Sequence, residues 1–378
     1  MKVQTDNSRK IRGYAIISKG DTPQIVDEST FLVPSQSENK KYTVIKGNQY
    51  KRWECDCPDF LKRGLDCKHI CCVKFWLKIK EKIENREILE QEVQNDEIVC
   101  PYCKSPKIVR NGKRRNKEVS KQKYICVECK RTFVEQAFKK IKANPQTITL
   151  IMDLYYKGLS TRKIQHNLKQ VFGIKISHVA IYGYIKKFTK MIDEYVNQFK
   201  ANTGEMWHTD EMMVDVNGKK VWLWNSMDRD TRFKLATKIT EERYTEDARS
   251  VFRESKEHGS HKPTFVVTDG LQGYKRAFSK EFRTLSQDCE HIQGKAFREK
   301  GNNCMVERLN GTVRERLKVM RGMEGIGSGE LLMKGFTNYY NFVRPHMGIG
   351  NLTPSEKARI MLNLGENRWM SLIRQANK

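Results

Sequence analysis

Three acidic residues stand where a shared fold could bring them together. They are Asp210 in WHTDEMMVDV, Asp269 in TFVVTDG and Glu307 in NNCMVERLNGTVRERL. Hard divalent cations prefer oxygen ligands, and Mg2+ takes one or two carboxylates together with waters and phosphates. Two such ions, roughly 3.5–4 Å apart, clamp the attacking and leaving oxygens of an in-line phosphoryl displacement. Carboxylates drawn from separate elements suit that clamp. Eleven cysteines offer a second chemistry. Cys55-x-Cys57 is followed by Cys67-x-His69, and three thiolates with one imidazole make a closed, structural zinc shell. Cys100-x-x-Cys103 and Cys126-x-x-Cys129 flank a basic stretch, the pattern of a four-cysteine zinc ribbon, with a redox dithiol as the competing reading of either pair alone. Cys71, Cys72, Cys289 and Cys304 read as packing residues.

The elements that must hold the acids follow from periodicity. Residues 206–216 read as a strand, with Asp210, Met212, Val214 and Val216 on one face and Thr209, Glu211, Met213 and Asp215 on the other. This phase favours Asp210 over Glu211 and Asp215. Asn217-Gly218 signals a hairpin, with a second strand at 221–228 and a third at 232–239. The apolar run 265–267, bounded by Pro263 and Gly270, suits a strand buried on both faces. Asp269 lies at its carboxyl end, where open sheets place ligand chemistry. Glu307 opens a helix whose buried stripe is Val306, Leu309, Val313, Leu317 and Met320. Its polar stripe holds Glu307, Gly311, Arg314, Lys318 and Arg321. An acid in line with a row of cations suits a metal ligand beside a phosphate backbone.

The 378 residues allow two or three domains and carry a formal charge of +26. Residues 1–100 hold 18 Lys and Arg against 16 Asp and Glu, residues 101–200 hold 23 against 6, and the remainder 30 against 23. Surplus cations in one segment imply a polyanion, with nucleic acid the default. No apolar run reaches bilayer length, and the first residues lack a signal-peptide core. An intracellular protein of the cytoplasm or nucleoid, without a membrane partner, is expected.

In chain order, RGYAIISKG and KKYTVIKGNQY read as short strands ahead of the first cysteine group, and 74–96 as a linking helix. Three helical patterns then follow across 145–192. Ser160 caps the second, Gly173 ends it, and Ser177 caps the third. In so basic a segment this reads as a helix-turn-helix, with a plain three-helix packing unit as the alternative. The third helix would offer Ser177, His178, Tyr182 and Lys186 to the major groove. Residues 193–203 read as a linker helix, 245–258 and 271–278 as helices, and 283–291 as a fifth strand. Arg344 ends a helix begun near Glu330 and is a candidate phosphate contact.

Asp210, Asp269 and Glu307 stand 59 and 38 positions apart. With the ending YYNFVRPHMGIGNLTPSEKA, in which Ile349 replaces the usual leucine, this resembles the D-D-E triad of the retroviral-integrase superfamily and of insertion-sequence transposases. The Cys55–His69 group resembles a SWIM zinc finger, and the ribbon with its following Phe133 resembles the amino end of such transposases. The resemblance implies a multidomain α+β chain: SWIM-type finger at 1–78, helical linker at 79–97, zinc ribbon at 98–138 and helix-turn-helix at 144–192. An RNase H-like α/β core with a mixed sheet would follow at 203–360, then a tail at 361–378. It implies Mg2+ (or Mn2+) at the acids, two structural Zn2+ sites, and His291 near the acids. It implies a DNA transposase that cleaves element ends and joins them to target DNA as a homo-oligomer. A cut-only nuclease and a non-catalytic DNA-binding regulator are the alternatives. The near-neutral first hundred residues point to a protein partner for the finger.

Overall fold

Asp210 and Asp269 ride on a five-stranded mixed sheet. The computed structural model describes residues 2–18, 21–36, 38–47, 52–84, 98–115, 120–134, 143–283, 288–294, 304–319, 323 and 325–377. The sheet is built from β8 (Met206–Val216), β9 (Lys219–Asp228), β10 (Lys234–Thr240), β11 (Phe265–Thr268) and β12 (Glu290–Gln293), in the order β10-β9-β8-β11-β12. The first three strands form an antiparallel meander, and β11 and β12 run parallel to β8. This is the strand order of an RNase H-like core. The hairpin Asn217-Gly218 takes φ of 52° and 76°, the left-handed pair whose twist matches the flanking strands. Helices α7 (Thr245–His258) and α8 (Gln272–Glu281) cover one face, and α9 (Cys304–Lys318) packs on the other.

Three smaller units precede this core. The first holds α1 (Lys2–Ser18), β1 (Gln24–Ile25), β2 (Thr30–Pro34), β3 (Lys41–Ile45), β4 (Glu54–Cys55), α2 (Pro58–Arg63) and α3 (Lys68–Glu84). The second is the ribbon of β5 (Ile108–Arg115), β6 (Ser120–Cys126) and β7 (Thr132–Val134). The third is α4 (Pro145–Tyr156), α5 (Thr161–Phe172) and α6 (His178–Val196). Ser160 Oγ accepts from Lys163 N at 3.3 Å and Ser177 Oγ from Ala180 N at 3.2 Å. Gly173 closes α5 at φ 65°. Two expectations are corrected. RGYAIISKG lies largely in a helix: its apolar run suits either period, and burial against α3 decides. The helix α6 continues to Val196, leaving no separate linker helix. Residues 85–97, most of the expected linker, lie outside the described residues.

After α9 come α10 (Ile326–Asn338), a wide turn Tyr339–Val343, α11 (Pro354–Lys357) and α12 (Arg368–Gln375). Asn341 clamps the outer edge of β10: Lys234 N donates to Asn341 Oδ1 and Asn341 Nδ2 donates to Lys234 O, both at 2.9 Å. A side-chain amide thus replaces a further strand and blunts an edge that would otherwise recruit one. Thr353 and Glu356 form a capping box at α11. The final helix is no loose tail, since Trp369 is buried and its ring stacks near Tyr156 (5.6 Å) and Tyr339 (6.4 Å). Among the described residues, no helix is long and apolar enough to cross a membrane.

The junction of α10 with α4 is tight. A Cβ on Gly335 would stand 1.8 Å from Tyr156 Oη, and that hydroxyl is held by Thr189 Oγ1 at 2.5 Å. Gly335→Ala is therefore expected to cost about 1–3 kcal/mol through overpacking. Chemical denaturation would show it as a lowered midpoint, and an unchanged midpoint would contradict the contact.

Candidate functional site

The sheet brings Asp210 and Asp269 together and adds Glu211. One carboxylate oxygen from each of these three lies within 4.8 Å of the others. Asp269 follows the end of β11, and its Oδ1 accepts from Leu271 N at 2.9 Å, which fixes the turn into α8. Asp210 sits at a seam. Upstream on its strand face, Met206 packs with the amino-terminal module; downstream, Met212 and Val214 join the core cluster that holds Val306, Leu309 and Val313 of α9. Glu307 lies in the first turn of α9 and is exposed, outside the three-carboxylate group.

A one-way hydrogen-bond chain orients Asp210. Thr237 Oγ1 donates to Asn225 Oδ1 (3.1 Å), Asn225 Nδ2 to Asn310 Oδ1 (2.7 Å), and Asn310 Nδ2 to Asp210 Oδ2 (2.9 Å). Both asparagines are fully buried, so their amides have one satisfied orientation. Glu211 leaves β8 on the opposite face, as its phase requires. There Tyr274 Oη donates to it at 2.5 Å and Arg243 pairs with it. Its carboxylate nonetheless reaches the cluster, which strand phase alone did not reveal. Arg243 also lies 3.6 Å from Asp269 Oδ2 and stacks over Trp222 at 4.5 Å. The guanidinium thus offsets two of the three charges. Burial first, then the charges of Glu211, Asp269 and Glu307, push Asp210 up to about 8. Burial and Asp269 likewise raise Glu211. Crowded, partly buried oxygen donors are the chemistry of a hard divalent cation, so this donor set fits one. His291 stands apart: its Nε2 pairs with Thr268 Oγ1 at 2.8 Å and its ring stacks on Phe278.

Both cysteine groups gather donors suited to zinc. Ligand atoms of Cys55, Cys57, Cys67 and His69 lie within 4.8 Å of one another, as do those of Cys100, Cys103, Cys126 and Cys129. His69 Nδ1 is 3.9 Å from both Cys55 Sγ and Cys67 Sγ. Hydrogen bonding from Cys55 pulls the Cys67 thiol down, favouring the thiolate that binds metal. Cys71, Cys72 and Cys289 are buried, as packing residues should be.

The expected DNA contacts fall on three elements: α6, α9 and the segment that follows the turn Tyr339–Val343. On α6, Ser177 is exposed but spends its hydroxyl on the cap. His178 and Tyr182 are half-buried, and exposed Lys186 lies over the Tyr182 ring at 5.5 Å. Arg314 and Lys318 are exposed on α9, Arg344 is half-buried, and Arg321 lies outside the described residues. Arg110, Lys113 and Arg114, in the basic stretch between the cysteine pairs, are exposed on the ribbon strand β5.

A mixed sheet of this order, with clustered acids at its centre, defines an RNase H-like core with a candidate cation site. Residues 204–346 match the family model DDE_Tnp_IS240, described as a DDE domain. That segment is therefore similar to a DDE domain. An uncharacterized protein of Methanocaldococcus jannaschii is 30% identical over 143 residues, covering 38% of this chain and 64% of that protein. The match thus spans less than two thirds of the relative. Among solved structures, the simian T-cell lymphotropic virus intasome in complex with PP2A regulatory subunit B56 gamma aligns at 13% identity. That alignment covers 42% of this chain and 56% of the viral one, with a TM-score of 0.33. The HTLV-2 integrase catalytic core in complex with magnesium aligns at 15% identity, 41% and 94% coverage and a TM-score of 0.29. The BIV integrase core gives 14%, 41% and 94%, and 0.31.

The raised Asp210 predicts a pH effect. Without a divalent cation the folded chain keeps this proton up to about pH 8, against an ordinary value of 3.8. Across that window the folded state binds more protons than the unfolded state, so this contribution to stability is present at low pH and is lost as pH rises. Thermal melts between pH 5 and 8 in magnesium-free buffer should show the loss, and Asp210→Asn should flatten it. The same slope in both proteins would refute the assignment.

Proposed function

We propose that the protein is a DNA transposase that cleaves the ends of its element and joins them to target DNA, with Asp210, Asp269 and Glu307 as its divalent-cation ligands. The observation that carries this reading is the convergence of Asp210 and Asp269 at the centre of an RNase H-like sheet within a segment matching a DDE domain. Bound in pairs, Mg2+ or Mn2+ would supply charge stabilisation at the attacking and leaving oxygens.

The chain's own residues have distinct tasks in this proposal. Asp210, oriented by Asn310, and Asp269, fixed by its turn, hold the inner positions. Glu307 approaches from the exposed start of α9, on the side open to DNA. Arg243 holds Glu211 and Asp269 against mutual repulsion and marks where positive charge is favoured. Arg314 and Lys318, about two and three turns along α9 from Glu307 and on its side, meet the phosphate backbone. The helices α4–α6 and the basic ribbon bind the element ends, with Ser177, His178, Tyr182, Lys186 and Arg344 as contacts. Zinc holds residues 1–78 and 98–138 as modules, residues 144–192 form the helix-turn-helix, residues 203–360 form the core, and the protein works as a homo-oligomer on intracellular DNA.

Strand-transfer assays with end-sequence DNA test the reading, and joined product is expected. Cleavage without joining would point to a nuclease, and bound but unaltered DNA to a regulator. Asp269→Asn should lower the rate by roughly 10²–10³-fold or more, since an ion-held charge contributes several kcal/mol at the transition state, while DNA affinity stays within about twofold. Glu307→Gln is the sharper test of the third ligand: unchanged activity would hand that role to Glu211.

A further inference from the structure

The amino-terminal Cys55–Cys57–Cys67–His69 module looks in sequence like a unit that meets an external partner. In the fold it meets the sheet. Strand alternation turns Met206 of β8 and Phe265 and Val267 of β11 away from α7 and α8. With Ile292 of β12 they are buried in one apolar cluster with residues of α1, β2, β3 and α3. Phe75 of α3 meets Phe265 edge-on at 5.1 Å, and Lys78 Nζ lies 2.6 Å from Glu290 Oε1 at the start of β12. Arg229, just past β9, donates to the Ile17 carbonyl of α1. Tyr14 Oη and His208 Nε2 hydrogen-bond at 2.7 Å. His208 is two positions before Asp210, on the same strand face. An exposed apolar face on β11 would be untenable, and here the module is its cover.

The cover depends on the metal ligands. Gly13 of α1 lies so close to α3 that a Cβ there would stand 2.6 Å from Cys71 Cβ and 2.7 Å from the Lys68 carbonyl oxygen. The two helices therefore dock as one layer. Cys67 directly precedes α3 and His69 lies in its first turn, so two of the four ligands anchor the helix that carries Phe75 and Lys78. His69 Nε2 is buried with no hydrogen-bond partner among the described residues, its ring packs against Tyr42 at 4.6 Å, and its Nδ1 faces the Cys55 and Cys67 sulfurs at 3.9 Å. A module with so small a core draws its folding free energy from the ion.

We propose that zinc in this site is a positioning element for the carboxylate cluster: it fixes α3 and α1 over β8 and β11, and Tyr14 and His208 carry that order to Asp210. The proposal rests on Asp210 and Asp269 being the divalent-cation ligands. Tyr14 is a positioning residue and touches no reacting atom.

The test uses the full chain with measured zinc content. In Cys57→Ser, hydrogen exchange should quicken at Phe265–Thr268 of β11 and at the start of β8, and the Mn2+ Kd read by calorimetry should rise about tenfold, as when an outer support of a metal site is lost. Exchange that quickens in α1 and α3 alone, with β11 as protected as in the wild type, overturns the proposal. Because Cys57→Ser could unfold the whole chain, Tyr14→Phe is the second variant. It should keep its full zinc complement yet weaken Mn2+ binding several-fold, and wild-type affinity there overturns the link to Asp210. If the wild-type chain binds no Mn2+, the reading of the acids fails on its own account, and the exchange arm still decides whether zinc orders the sheet.

Discussion

Like charges held close and half out of water govern this structure. Asp210, Glu211 and Asp269 crowd within 4.8 Å, where repulsion and desolvation both oppose ionisation. The chain answers unevenly. Arg243 sits against Glu211 and Asp269, while among the hydrogen bonds described at the Asp210 carboxylate the donor is the Asn310 amide. Burial, with the neighbouring acids, accordingly pushes Asp210 up to about 8. Everything nearby holds these groups where they would not go unaided: α9 from one side of the seam, the amino-terminal module from the other, and the asparagine chain from beneath. Positive charge placed among these oxygens relieves the repulsion.

Much of the scaffold was legible because it follows local rules. The Asn217-Gly218 hairpin, the Ser160 and Ser177 caps and the Gly173 stop lie where turn and cap chemistry put them. The strand carrying Asp210 keeps its expected limits. Illegible were the features set by distant residues. Phase gives the direction in which Glu211 leaves β8, not where its longer side chain ends. Arg243 comes from a loop beyond β10, and no local pattern links it to Asp269. Asn225 and Asn310 read as ordinary polar positions until β9 and α9 meet. The first helix was misread because Tyr14 to Ile17 are apolar throughout, which fits both periods.

The ending that resembles transposases shows how a motif can be recognised for one reason and retained for another. Asn341 closes the β10 edge, Thr353 and Glu356 cap a helix, and Glu356 reaches Arg368 at 2.8 Å to fasten α12. His346 turns its Nε2 to the Tyr340 carbonyl at 3.1 Å. These residues tie the outer strand β10 and the helices after it together. A pattern search reads them as a signature of chemistry, whereas physically they are fasteners.

The aromatic stack of Tyr156, Trp369 and Tyr339 ties α4 to the last helix and to the turn after α10, and Arg316 of α9 lies over the Tyr155 ring at 4.5 Å. The three helices ahead of the core share its apolar interior through Ile185, Phe188 and Ile192. Three helices mounted in this way cannot swing on a tether. They behave as a fixed arm, so whatever the exposed face of α6 meets is held at one set distance from the carboxylates on β8 and β11.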